Sequence, residues 1–182
     1  MSDNVLAQDA GVASDVYGMS DNTNLFQRVM SMREGGRERP LRELPSDDPT
    51  MTLFQTVRPN IVQSIRAFRV PDLADEAMRL GHHFLYAWCA SAGSKAEVLE
   101  RIATEFTFPK HGGKNYDALY DCLTDAIAKA GPQPGFVIVL EGVPIGIKFD
   151  KDARETLLDV FREAAEFWSE RKVAFRVFYS FA

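Results

Sequence analysis

The 182-residue chain is long enough for one ordinary domain plus a tail, and its formal net charge of −5 argues against a sequence-independent nucleic-acid binder, which needs a basic footprint to neutralise phosphates. Two cysteines, Cys89 and Cys122, are too few for a disulfide scaffold and lack zinc-site spacing, so they read as small buried hydrophobes in a reducing compartment. The opening residues carry no signal-peptide pattern and no run of about 18 apolar residues follows, which predicts a soluble, cytoplasmic protein without membrane contact.

Residues 1–55 are rich in Ser, Asp, Asn, Gly and Arg and include "SMREGGRERPLRELPSDDPT", a mixed-charge stretch broken by Gly and Pro. Such a segment buries too little apolar surface to offset its ordering entropy, so a largely disordered tail is expected over 1–55 and a folded domain over 56–182. Two apolar patches, "LFQRVM" at Leu25 and "LFQTV" at Leu53, echo each other. They read either as paired docking segments or as a chance similarity in which one patch packs on the domain.

From about Asn60 the pattern alternates. "IVQSIRAFRV" reads as a strand and "PDLADEAMRLG" as a helix, with Pro71 near its start and Gly81 past its end. "HHFLYAWC" is a second strand, and "SKAEVLERIATEF" a helix capped by Ser94, with Glu97 completing a capping box. The loop "TFPKHGGK" leads to a helix running to about Ala130. "FVIVLEG" is an unbroken apolar run of the kind found in a central parallel strand. "DKDARETLLDVFREAAEFWSER" is a long amphipathic helix and "VAFRVFYSF" a last strand. Strands alternating with helices predict an α/β fold, a mostly parallel β-sheet packed against helices.

The helix after the loop, "KNYDALYDCLTDAI", has one apolar face made by Leu119, Cys122, Leu123, Ala126 and Ile127. Asp117, Asp121 and Asp125 fall at i, i+4 and i+8 on another face, with Tyr120 and Thr124 beside them. Like charges at that spacing repel by roughly 0.2–0.5 kcal/mol per pair. Asn115 as N-cap places Asp117 in the first turn, where the helix dipole favours it, but the dipole does not extend to Asp121 or Asp125. In the long helix Leu157, Val160, Phe161, Ala164 and Trp168 form the buried stripe, while Glu155, Asp159 and Glu163 form a second carboxylate ladder. Arg162 is expected to pair with Glu166, leaving Glu163 alone. Two acidic ladders on one small domain suggest a negative surface built for a positive partner; the alternative is two independently solvated helices.

"FPKHGGKNYDALYDCLTDA" and, further on, "LLDVFREA" resemble the barstar family, intracellular inhibitors of the bacterial ribonuclease barnase. Pro109, Gly113, Asn115, Asp117, Ala118, Leu119, Asp121, Cys122, Leu123 and Thr124 match the family pattern in the first segment, and Val160 to Ala164 match in the second. The resemblance runs over roughly His82 to Tyr179, so the strand and helix before it look like an added βα unit extending a barstar-like layered sheet. It implies a non-enzymatic inhibitor, of the antitoxin or immunity type, that needs no cofactor and inserts a loop and a helix into the active site of a basic bacterial ribonuclease. There its carboxylates would replace RNA phosphates. Asp117, Asp121 and Glu163 fall on the family's charged contacts, and Gly113 and Asn115 on its loop contacts. Tyr120 stands where the family has a helix tryptophan, Ala126 where it has another, and His111 and Gly112 where it has loop aromatics. These replacements point to a different cognate ribonuclease or a weaker, repurposed interaction, and His111 would make binding sensitive to pH near neutrality.

Two rival functions remain at this level. An enzyme is disfavoured because His82 and His83, adjacent on a strand, face opposite sides and read as satisfied strand-end or surface histidines. "HGGK" lacks P-loop spacing, Cys122 lacks an evident basic neighbour, and Glu141 stands alone at a strand end. The second rival keeps the fold and gives the acidic face another basic protein as its partner.

Overall fold

A computed structural model of the protein describes residues 53–182. The composition-based expectation for the tail, and the patch at Leu25, fall outside the described residues. Four strands form one sheet: β1 (Asn60–Ser64), β2 (His83–Trp88), β3 (Phe136–Val143) and β4 (Phe175–Phe181). Their order is β1-β4-β3-β2 and every pairing is parallel. The helices are α1 (Val70–Arg79), α2 (Lys95–Glu105), α3 (Tyr116–Leu123), α4 (Asp125–Ala128) and α5 (Lys151–Glu170), with a 3₁₀ turn at Lys110–Gly113. Among the described residues no helix is long and apolar enough to cross a membrane.

The period-2 geometry of the strands divides the core in two. Phe136, Ile138 and Leu140 of β3, with Phe175 and Val177 of β4, face a large cluster built from α2, α3 and α5. Val137, Val139 and Phe178 face the other way, against Leu73 and Ala77 of α1 and against Phe54 and Val57. β3 is therefore buried on both sides, as its apolar run predicted. Phe54 lies inside the span read as tail, yet its side chain is only 6% exposed.

β1 extends the sheet at the free edge of β4, and α1 covers the sheet's second face, so the expected βα unit is present. Asn60 ties this edge strand to the rest of the domain through Nδ2, which donates to the carbonyls of Ala165 (3.0 Å) and Val173 (2.9 Å). The strand is shorter than its sequence pattern suggests. After Ser64 the chain turns, with Phe68 N–H donating to Ile65 O at 2.6 Å, and Val70 already begins α1. Pro71 sits in the first turn of that helix, where its missing N–H costs nothing.

Candidate functional site

The acidic helix is held by its neighbours at both ends. Before it, Ser94 Oγ accepts from Glu97 N–H while the Glu97 carboxylate accepts from Gly93 N–H at 2.8 Å and from Ser94 Oγ at 3.0 Å, the capping box that starts α2. The chain leaves α2 and passes through Phe108 and Pro109 into the 3₁₀ turn, closed by Gly112 N–H to Pro109 O at 2.8 Å. Two glycines let this turn lie directly on its supports. A Cβ at Gly113 would stand 3.0 Å from Glu100 Cα and 3.2 Å from Ala103 Cβ, and one at Gly112 would stand 2.8 Å from Cys122 Sγ. Asn115 then caps α3, its Oδ1 accepting from Ala118 N–H at 2.8 Å.

Two long-range hydrogen bonds fasten α3 to α5. Near the start of both helices Tyr116 Oη donates to Ala153 O at 2.7 Å, and Lys95 Nζ lies 4.0 Å above the Tyr116 ring. Near the end of both, the buried Trp168 indole N–H donates to Leu123 O at 2.9 Å, satisfying a carbonyl of the last turn of α3. Leu119, Cys122 and Leu123 face the core, which leaves Asp117 and Asp121 on the exposed side.

The helix does not run unbroken to Ala130 as its periodicity suggests. At Thr124 the backbone departs from helical angles (φ −122°, ψ −90°), and the separate short helix α4 begins at Asp125. Thr124 is fully buried, and its hydroxyl donates to Tyr120 O at 2.7 Å. It therefore shapes the helix end and has no surface to offer a partner, contrary to its expected place among contact residues. A hydroxyl bonded back to the i−4 carbonyl is a known source of bending in helices. The stripe that its spacing drew as one ladder of three is thus a pair, Asp117 and Asp121, followed across the break by an exposed Asp125.

The second ladder is also modified. Arg162 pairs with Asp159 at 2.5 Å and with Glu155 at 3.7 Å, not with Glu166, so two of the three carboxylates already have a cation. Among the described residues Asp117, Asp121, Asp125 and Glu163 form no ion pair, and all four are exposed. Tyr120, next to Asp121 in sequence on α3, is half-buried. Burial is the main cause that pushes its phenol above the ordinary range, and the charges of Glu163 on α5 and Asp125 add to it. Tyr120 on α3, Glu163 on α5 and Asp125 on α4 are thus close enough for both carboxylates to act on the phenol.

His111 is exposed on the 3₁₀ turn, and its Nε2 lies 4.0 Å from Cys122 Sγ. This is the basic neighbour that Cys122 lacks in sequence, since the two are brought together only by the turn packing on α3. It does not activate the sulfur. Burial, and then the charge of Asp121, push the thiol up, so the group is a buried thiol and not a thiolate. Glu141 is not alone either, because Tyr86 Oη donates to its Oε2 at 2.6 Å. His83 is buried with Nε2 2.9 Å from Gln133 Oε1, whereas the buried Nδ1 of His82 has no hydrogen-bond partner among the described residues, contrary to the expectation that both rings are satisfied.

Among the described residues no three His, Cys, Asp or Glu side chains are grouped to hold a metal ion. A shallow depression of about 220 Å³ beside α2 is lined by Ser91, Ala92, Glu97, Glu100, Arg101 and Thr104 and includes none of the acidic residues of α3. The acidic face itself is built from a helix pair and the turn before it, and its carboxylates are exposed.

The sequence matches the family model of Barstar (barnase inhibitor) over residues 82–180, a span that includes the turn, α3, α5 and three of the four strands. No curated protein matches the chain. Since the match covers more than half of the 182 residues, the chain belongs to the barstar family.

Proposed function

We propose that the protein is an inhibitory binding protein, of the bacterial antitoxin or immunity type, that acts in the cytoplasm by blocking the active site of a basic ribonuclease. The observation that carries this reading is the set of exposed carboxylates, Asp117, Asp121 and Glu163, that form no ion pair among the described residues and stand on helices fastened to each other, with the half-buried Tyr120 next to Asp121 in sequence. A ribonuclease active site is lined by cations that receive RNA phosphates, and carboxylates held in fixed positions offer it the same charge. Asp121 is the central contact, Asp117 and Glu163 flank it, and Tyr120 packs against the partner. Gly113, His111 and Asn115 form the edge supplied by the turn.

Rigidity supports the assignment. Because the carboxylates sit on elements already ordered in the free protein, little conformational freedom is lost on binding. The mutual repulsion of Asp117 and Asp121 is relieved only when cations arrive, so it favours the bound state over the free one.

The test compares Asp121→Ala with Asp152→Ala, an exposed carboxylate in the first turn of α5 that is not a member of this set. Complex formation with barnase, and with any basic ribonuclease encoded beside the chain, is measured by calorimetry. Losing one member of a desolvated charge pair costs on the order of 2–5 kcal/mol, a general range for which barnase and barstar are themselves a reference case. Asp121→Ala is expected to lose affinity on that scale with its fold intact, and Asp152→Ala to bind as the wild type does. Equal effects of the two substitutions would refute the assignment.

A further inference from the structure

The second face of the sheet holds a docked turn that the chain spells twice. Leu53-Phe54-Gln55-Thr56-Val57 closes a turn through Val57 N–H to Phe54 O at 3.2 Å. Phe54 and Val57 are buried, Leu53 is half-buried, and Gln55 and Thr56 face solvent. The Phe54 ring stacks on Phe178 at 6.0 Å, and the Arg176 guanidinium lies 4.5 Å from its centre. The groove is thus a reader of the pattern Leu-Phe-x-x-Val, where x is any residue. Leu25-Phe26-Gln27-Arg28-Val29 has the same residues at all three reading positions, and its one difference, Arg28 for Thr56, falls where the docked copy is exposed.

We infer that this groove has two ligands within the same chain, and that Leu25–Val29 docks there when Leu53–Val57 is displaced. The two copies differ in tether. Only Arg58 and Pro59 separate Val57 from β1, whereas residues 30–59 separate Val29 from it. Closing the longer loop disfavours the distal copy by on the order of fifty-fold, which explains why the proximal copy is the docked one. Exchange would release Leu53–Val57 from the sheet and draw the distal tail onto the face opposite α3 and α5, leaving the acidic face untouched.

A double-mutant cycle on the full chain tests this, with the folding equilibrium constant read from urea unfolding. With the proximal copy in place, Phe26→Ala leaves that constant unchanged. In the Phe54→Ala background the distal copy becomes the occupant, and Phe26→Ala is expected to lower the constant by roughly three- to ninety-fold, the usual cost of truncating a buried phenylalanine divided by the fifty-fold tether penalty. If Phe54→Ala leaves the chain too unstable for urea unfolding in buffer alone, the same cycle is read in sucrose or trimethylamine N-oxide, which favour the folded state without changing the groove. A peptide of residues 22–32 added to the Phe26→Ala, Phe54→Ala chain should restore the urea midpoint, and the same peptide with Phe26→Ala should not. Additive effects of the two substitutions, or equal effects of the two peptides, would overturn the inference. A coupling that grows with protein concentration would overturn its intrachain form by placing the distal copy in the groove of another molecule.

Discussion

The indole N–H of Trp168 is expected to set the rigidity of the acidic helix, and Trp168→Phe isolates it. The side chain is 2% exposed, and its N–H is the donor to Leu123 O at the point where α3 ends. Phenylalanine keeps a ring against Phe136, now 5.0 Å away, and against Phe167, at 5.3 Å, but it cannot donate. A buried carbonyl left without a donor costs about 1–3 kcal/mol. The smaller ring also buries roughly 50 Å² less, worth about 1 kcal/mol at 25 cal/mol per Å². The sum is a loss of about 2–4 kcal/mol, a large share of the stability of a domain this size. Urea unfolding followed by circular dichroism reads the loss directly. Trp88→Phe is the control, because Trp88 is 47% exposed at the end of the edge strand β2 and should change stability by less than about 0.5 kcal/mol. The same Trp88→Phe chain leaves Trp168 as its only tryptophan, so its fluorescence follows the anchor itself. A Trp168→Phe loss no larger than that of the control would refute the argument that this hydrogen bond holds the end of α3.

The turn and the buried histidine yield two further expectations. Gly113→Ala places a methyl group 3.0 Å from Glu100 Cα, where backbone must move, so a loss of about 1–3 kcal/mol is expected in thermal or urea unfolding, together with weaker partner binding because α3 is carried by that turn. His82 has its pKa lowered first by burial and then by the charge of Arg176, so the unfolded chain takes up a proton in a range where the folded one does not. Stability from this group is full above the unfolded pKa of about 6.5 and falls as pH drops through it toward the folded value. The urea midpoint should therefore decline between pH 7 and pH 5, and His82→Gln should flatten that decline; an unchanged slope would show that the histidine is not the source.

Much of this architecture is legible in the residues because it depends on local rules. The Ser94 and Glu97 box, the Asn115 cap, Pro71 in the first turn of α1 and the apolar run of β3 each follow from side-chain chemistry within a few positions. The matching segments around Asp117 and Val160 also identified the family, which the match over residues 82–180 supports. The break at Thr124 is not legible in the sequence because threonine is compatible with a helical period, and the contacts at the break, its buried hydroxyl on Tyr120 O and the indole on Leu123 O, belong to the folded state. Arg162 has carboxylates on both sides at helical spacing, so spacing cannot choose between Asp159 and Glu166. Contacts such as Tyr116 to Ala153, His111 to Cys122 and Arg176 to Phe54 join segments distant in sequence, and no local pattern marks them.

The central claim is that the acidic face silences a ribonuclease. Titrating the protein into a fluorogenic RNA-cleavage assay, with barnase and with any basic ribonuclease encoded beside the chain, at low and high salt, tests it most directly. The account predicts stoichiometric inhibition of at least one of these enzymes, weakened by salt and lost in Asp121→Ala. Full RNA cleavage by both enzymes at saturating protein, or inhibition that survives Asp121→Ala unchanged, would contradict it.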